Sequence, residues 1–179
     1  MLYYPTVSSD VPLDDDKDIR AGAHSDYGSI TLLFQMPGQP GLEVLSPDNE
    51  WAPVRIPIHP NADEVPHGAS NANSDPASLP ILVNIGDLLA YWTNGLLKST
   101  VHRVTFPAGA MSDRYSIAYF CHPLDEAKLE PVPSKLVEGR KGTFQGQVGM
   151  GGGAGDGNAV TLTAGEYLQR RLKATYGGQ

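Results

Sequence analysis

Cysteine is almost absent. Cys121 stands alone among 179 residues, so no intrachain disulfide can staple the fold, as suits a reducing compartment. It falls in the apolar run 117–121, where a buried structural thiol is expected, and no neighbour in sequence would activate it as a nucleophile. Long apolar runs are missing too: none approaches the roughly 20 residues that span a bilayer. The opening Met1-Leu2-Tyr3-Tyr4-Pro5 lacks both the basic start and the apolar centre of a signal peptide. These absences make a soluble, cytoplasmic protein the expectation. Basic residues are also scarce, 13 Lys and Arg against 20 Asp and Glu. The resulting net charge of -7 argues against a nucleic-acid partner, whose phosphates demand a basic surface.

What is present is globular. With 40% hydrophobic and 18% charged residues, the chain can bury the core of one ordinary domain. Asp14-Asp15-Asp16 and Asp18, broken by Lys17, read as a solvated loop rather than a metal site. Residues 30–34 are strand-like, bounded by Gly28 and by Pro37-Gly38. Residues 41–45 and 51–55 flank the turn-rich 46–50 and predict a hairpin, with Pro53 marking an edge or a bulge. Residues 57–80 turn to Asn, Asp, Ser, Pro and Ala and read as an inserted surface loop; His59 and His67 within it are poorly placed for metal binding. Further strands are expected at 80–85, at 88–92 before the Asn94-Gly95 turn, at 100–104 and at 115–121.

The end of the chain differs. Residues 142–158 hold eight of the twenty glycines, without the lysine and hydroxyl ending of a phosphate loop. Residues 137–160 therefore read as a flexible linker. Thr163 and Glu166 have capping-box spacing and open a helix over 167–176, with Tyr167, Leu168, Leu172, Thr175 and Tyr176 on one side. The expected organisation is a mainly β core over 1–136, the linker, and a C-terminal helix within 161–179. Many short strands and one terminal helix suggest a sandwich, a barrel or a double-sheet jelly roll.

Chemistry concentrates in three places: His24-Ser25-Asp26, His102, and Arg114-Tyr115-Ser116. Side chains two apart on a strand share a face, so His24 and Asp26 can converge, as can Arg114 and Ser116. A remote histidine completes the two-histidine, one-carboxylate set of non-haem Fe(II) sites, which leaves coordination positions open. Arg114 with Ser116 offers a fork for a nearby carboxylate. Each piece alone has a plainer explanation. His24 and Asp26 could form an exposed turn, His102 could be a hydrogen-bonded core histidine, and Arg114 and Ser116 a surface arginine and a strand serine. Their order favours one site that uses all five.

The same residues carry a resemblance. His24-Ser25-Asp26, Val83-Asn84-Ile85-Gly86-Asp87, Thr93-Asn94-Gly95, Lys98-Ser99-Thr100-Val101-His102-Arg103-Val104 and Arg114-Tyr115-Ser116 resemble the isopenicillin N synthase-like superfamily of 2-oxoglutarate- and Fe(II)-dependent dioxygenases. The likeness covers roughly residues 1–123, and the C-terminal helix is similar to that of fungal-type members. It implies a distorted double-stranded β-helix, or jelly roll, with iron at its open end. By matching motif, His24, Asp26 and His102 would bind iron, and Arg114 and Ser116 the distal carboxylate of 2-oxoglutarate. Tyr4 matches a tyrosine that often touches the same carboxylate, whereas Leu2 stands where the family frequently has asparagine. Phe120 and Tyr27 correspond to positions that could line the substrate pocket, with core packing as the alternative for both.

The implied reaction oxidises a small organic substrate with O2 by hydroxylation, desaturation or ring closure, releasing succinate and CO2, in specialised metabolism. Alternatives are a same-superfamily oxidase that does not use 2-oxoglutarate, or a catalytically silent jelly-roll binding module. Family members usually carry a long N-terminal portion before the tyrosine motif, which here lies almost at the start. The expectation is therefore apolar sheet faces and strand edges left exposed, to be completed by a missing N-terminal portion or by another subunit.

Overall fold

Alternating apolar and polar residues, β-branched side chains and closely spaced turns build short strands along most of the chain. A computed structural model describes residues 1–6, 19–36, 38–55, 80–106, 113–140 and 161–177. Its elements in chain order are β1 (Leu2–Tyr4), β2 (Ile19–His24), β3 (Ile30–Gln35), β4 (Leu42–Leu45), β5 (Trp51–Pro53), β6 (Leu82–Ile85), α1 (Asp87–Trp92), β7 (His102–Thr105), β8 (Arg114–Cys121), α2 (Lys135–Glu138) and α3 (Ala164–Tyr176). The strands form two four-stranded sheets, ordered β1-β8-β3-β6 and β2-β7-β4-β5. Among the described residues, eight strands in two sheets, with a C-terminal helix, match the expected jelly roll.

Two compact units divide the chain. One comprises Met1–His24, Leu32–Val83 and Val101–Tyr119; the other comprises Ser25–Thr31, Asn84–Thr100 and Phe120–Gln179. The first contains the whole β2-β7-β4-β5 sheet. Its β4–β5 hairpin pairs Leu45 with Trp51, and Pro53 lies on the edge strand, as expected. Glu43 faces Arg103 across the sheet, and their side chains form a 2.7 Å ion pair while the guanidinium lies over Trp51. That cross-strand pair pins the register of β7 next to His102.

The second unit has its own apolar cluster of Leu88, Leu129, Ala164 and Tyr167, with Tyr27, Tyr91, Trp92, Ala127 and Leu162 against it. Thr163 accepts from the Glu166 amide, and the Glu166 carboxylate accepts from the Thr163 amide, so the predicted capping box starts α3. The helix face differs from the expected one. Ala164 and Tyr167 are buried, but Leu172 and Tyr176 are exposed. Arg171 takes the inward position one turn after Tyr167 because its guanidinium reaches the buried Asp87.

Three further expectations need correction. Residues 88–92 form α1 rather than a strand. Asp87 opens the helix, and Asn94 and Gly95, both at positive φ, close it. Cys121 is half-buried rather than buried. A helix, α2, occupies 135–138, where the linker was expected to begin; residues 141–160 and 56–79, the latter holding nearly all of the expected 57–80 loop with His59 and His67, lie outside the described residues.

Candidate metal and carboxylate site

His24 ends β2 and pairs with His102 of β7, their ring centroids 4.4 Å apart. Register shifts between Ile19 and His24 bend this pairing, and such bulges re-aim a side chain. His24 Nδ1 lies 2.7 Å from the Gly22 carbonyl. A carbonyl only accepts, so Nδ1 carries the proton and Nε2 keeps a lone pair of the kind that can ligate a metal. Asp26 does not share a strand face with His24, contrary to the period-two expectation: β2 stops at His24, and Asp26 lies in the turn beyond it. Even so, one ligand atom from each of His24, Asp26 and His102 lies within 4.8 Å of the others.

The turn that carries Asp26 is held by backbone. Asp87 N–H donates to the Asp26 carbonyl, and Leu88 N–H to the Gly28 carbonyl, at 2.8 and 3.0 Å. These donors belong to the first turn of α1, whose amides have no partner within the helix, so the turn and the helix start satisfy one another. The approach is so close that a Cβ on Gly86 would sit 2.3 Å from the Gly28 oxygen, and one on Gly28 would sit 2.6 Å from the Cys121 oxygen. Within the same turn, Ser25 donates to Asp87, which also accepts from Tyr167 and pairs with Arg171. Burial and the Asp87 charge raise the Tyr167 hydroxyl well above its ordinary pKa, keeping it a donor.

Side-chain support for Asp26 is equally direct. Its Oδ2 accepts from the Thr31 hydroxyl at 2.6 Å and from the Asn84 amide at 2.7 Å.

Arg114 and Ser116 share the buried face of β8, as their spacing predicted, at 2% and 3% exposure. The surface-arginine alternative is therefore excluded. One guanidinium nitrogen donates to Gln35 Oε1 at 2.6 Å and another to Ser116 Oγ at 3.3 Å, while Nε has no hydrogen-bond partner among the described residues. Burial lowers the pKa of Arg114, with Tyr4 opposing the shift and Arg20 adding to it. The Tyr4 ring lies 5.4 Å from the guanidinium carbon. A cavity of about 650 Å³ touches Gln35 and Ser116 but is walled mainly by the outward-facing Phe34, Ile81, Tyr115 and Ile117, and Arg114 does not line it.

The two aromatic positions diverge. Tyr27 packs with the C-terminal helix: its hydroxyl meets that of Thr175, and Arg171 lies 4.5 Å over its ring. Phe120, on the same strand face as Arg114 and Ser116, is 58% exposed and lies outside the apolar cluster found among the described residues. Sequence reasoning gave no site role to Thr31, Gln35, Asn84 or Asp87, although Asn84 and Asp87 stand in a motif that carries the family resemblance. Thr31 and Gln35 had a signal, polar residues within an otherwise apolar strand.

The sequence pattern of the 2OG-Fe(II) oxygenase superfamily matches residues 1–123. The UPF0676 protein C1494.01 of Schizosaccharomyces pombe is 37% identical over 92% of this chain and 39% of its own length. The proline hydroxylase buaE of Petromyces alliaceus is 32% identical over 88% of this chain and 41% of its own. The crystal structure of a full-length Neurospora crassa protein in complex with alpha-KG and thymine superposes with a TM-score of 0.65 at 35% identity, covering 97% of this chain and 43% of that one. The chain thus spans about two fifths of the relatives it matches. With the family pattern across most of its length and the jelly-roll fold of its structural neighbours, the chain belongs to the 2OG-Fe(II) oxygenase superfamily.

Proposed function

We propose that this chain is the iron- and 2-oxoglutarate-binding portion of a dioxygenase that oxidises a small organic molecule in specialised metabolism. The observation that carries the reading is Arg114, a buried guanidinium whose Nε lacks a hydrogen-bond partner among the described residues, beside the Ser116 hydroxyl. A buried cation in that state suits an incoming carboxylate, and arginine's planar fork suits it better than lysine would. The donor set fits as well: two imidazoles and one carboxylate are the borderline and hard ligands that Fe(II) takes with positions to spare. His24, Asp26 and His102 would hold the metal. Arg114 and Ser116, with Tyr4 beside them, would hold the distal carboxylate of 2-oxoglutarate. When bound, Fe(II) with 2-oxoglutarate and O2 supplies the oxidising chemistry, with release of succinate and CO2. The protein's part is to fix the ligands, hold the far end of the co-substrate and keep water from the reacting atoms.

The substrate class is read from the relatives rather than from the cavity, whose walls Tyr115 and Ile117 lie on the face of the sheet away from Arg114. A relative named as a proline hydroxylase and a neighbour crystallised with thymine support the same class. Hydroxylation, desaturation and ring closure are the reactions this chemistry allows. Phe120, exposed on the Arg114 face of β8, is the better of the two aromatic candidates for touching substrate. We also propose that further polypeptide, an N-terminal portion or another subunit, covers the exposed apolar residues Val83, Ile117 and Tyr119.

The test is anaerobic addition of Fe(II) and 2-oxoglutarate, followed by O2. A weak visible charge-transfer band is expected, absent in His102→Ala, and succinate should form during turnover. Protein that retains no iron and gives no band would be a silent module. Oxygen uptake without succinate would instead identify an oxidase that does not use 2-oxoglutarate.

A further inference from the structure

Asp26 is held by its side chain in a way that bears on how it can ligate. Oδ2 takes two hydrogen bonds, from the Thr31 hydroxyl at 2.6 Å and the Asn84 amide at 2.7 Å. Both lengths are those of charge-assisted bonds. The hydroxyl must be the donor, because an ionised carboxylate only accepts. Thr31 is buried on β3, and Asn84 sits on the neighbouring strand β6, so both donors stand on paired backbone rather than on a loop. The Asp26 carbonyl is fixed as well, by the Asp87 amide.

A carboxylate oxygen has about two lone-pair sites, and here two donors engage those of Oδ2. For the carboxylate to chelate a metal with both oxygens, the metal would have to displace one of these bonds. We propose, resting on the iron-site reading above, that Thr31 and Asn84 are positioning residues that hold Oδ2 of Asp26 so that it meets the metal through Oδ1 alone. The consequence is a count. Three protein donors would leave three positions of a six-coordinate metal, enough for a chelating oxo-acid and O2. A carboxylate bound through both oxygens would take one of those three. The two hydrogen bonds therefore protect the open position that the reaction needs.

Mn(II) is the probe, and the full chain is the protein. Binding is read by electron paramagnetic resonance, and coordinated waters are counted from line broadening in ¹⁷O-enriched water. Thr31→Val with Asn84→Leu is expected to weaken Mn(II) binding by about 10- to 100-fold, the range for loss of partners that orient metal ligands. The same double variant should hold one water fewer than wild type, because Oδ2 then competes for the metal. Thr31→Ser keeps the hydroxyl and should behave as wild type. A merely structural role would not change the water count in folded protein. If the double variant does not fold, Thr31→Val alone is read in the same way. Wild-type affinity, or an unchanged water count, in the folded variant overturns the assignment. Wild-type protein that takes up no Mn(II) overturns the iron-site reading itself, and this assignment with it.

Discussion

Two regions of this molecule treat polarity in opposite ways. In the cluster around Leu88 and Tyr167, apolar groups are buried, and the polar partners Asp87 and Arg171 satisfy one another. In the sheet β1-β8-β3-β6 the order is inverted. Its buried positions include Thr31, Gln35, Arg114 and Ser116, while Phe34, Val83, Tyr115, Ile117 and Tyr119 are exposed. Along β8 the inversion starts residue by residue, because consecutive side chains take opposite faces. A stabilising core and a wall that receives a ligand, the role proposed for this sheet, are different uses of burial. The first removes hydrocarbon from water; the second sequesters charge and hydrogen-bond donors that a ligand can satisfy.

The sharpest way to break the comparison is Arg114→Ala. If the inverted sheet is a ligand wall, 2-oxoglutarate affinity should fall by about 30-fold or more, the cost of truncating one partner of a buried charged pair. Mn(II) affinity should stay within a few fold, since Arg114 is not among the proposed metal ligands. Titration of both ligands against one variant checks this; equal losses would contradict the role. A second pair of variants compares the regions by stability. Leu88→Ala should cost about 2–5 kcal/mol in denaturant melts, because Leu88 is fully buried. Tyr119→Ser, at 61% exposure, should change stability by only about 0.5 kcal/mol. Comparable costs would mean that the outer face of the sheet is covered in solution.

The smallest expected effect concerns pH. Burial first, and Asp87 second, raise the Tyr167 pKa above its ordinary value of 10.0. A raised folded-state pKa contributes stability that is fully present below pH 10 and is lost as pH rises through the folded value. Tyr167→Phe should therefore be less stable than wild type at neutral pH, and the difference should narrow above about pH 10. Melts at about pH 8 and about pH 11 test it, and a constant gap would remove Asp87 as the anchor of the C-terminal helix.

Much of this was legible in the chain. Motif order brought His24, Asp26 and His102 into one hypothesis, and the spacing of Arg114 and Ser116 placed them on one strand face. The capping box of Thr163 and Glu166 was read correctly because capping depends only on neighbours a turn apart. Other features were not legible, and each for a local reason. Residues 88–92 look like a strand by composition, yet the backbone of the Asp26 turn satisfies their leading amides and a helix wins. Arg171 displaced Leu172 from the inner side of α3 because Asp87, remote in sequence, was there to pair with it. Leu172 has no comparable reason to turn inward.

What the sequence determined by itself was the inventory: which donors exist, their order, and the alternation that puts Arg114 and Ser116 on one side and Tyr115 and Ile117 on the other. Those are consequences of covalent order and strand period. Only the tertiary structure decided which face was inside, which oxygen of Asp26 was engaged, and that Tyr27 joined the C-terminal helix. Such outcomes depend on partners far along the chain, whose meeting is set by packing and hydrogen bonding rather than by sequence distance.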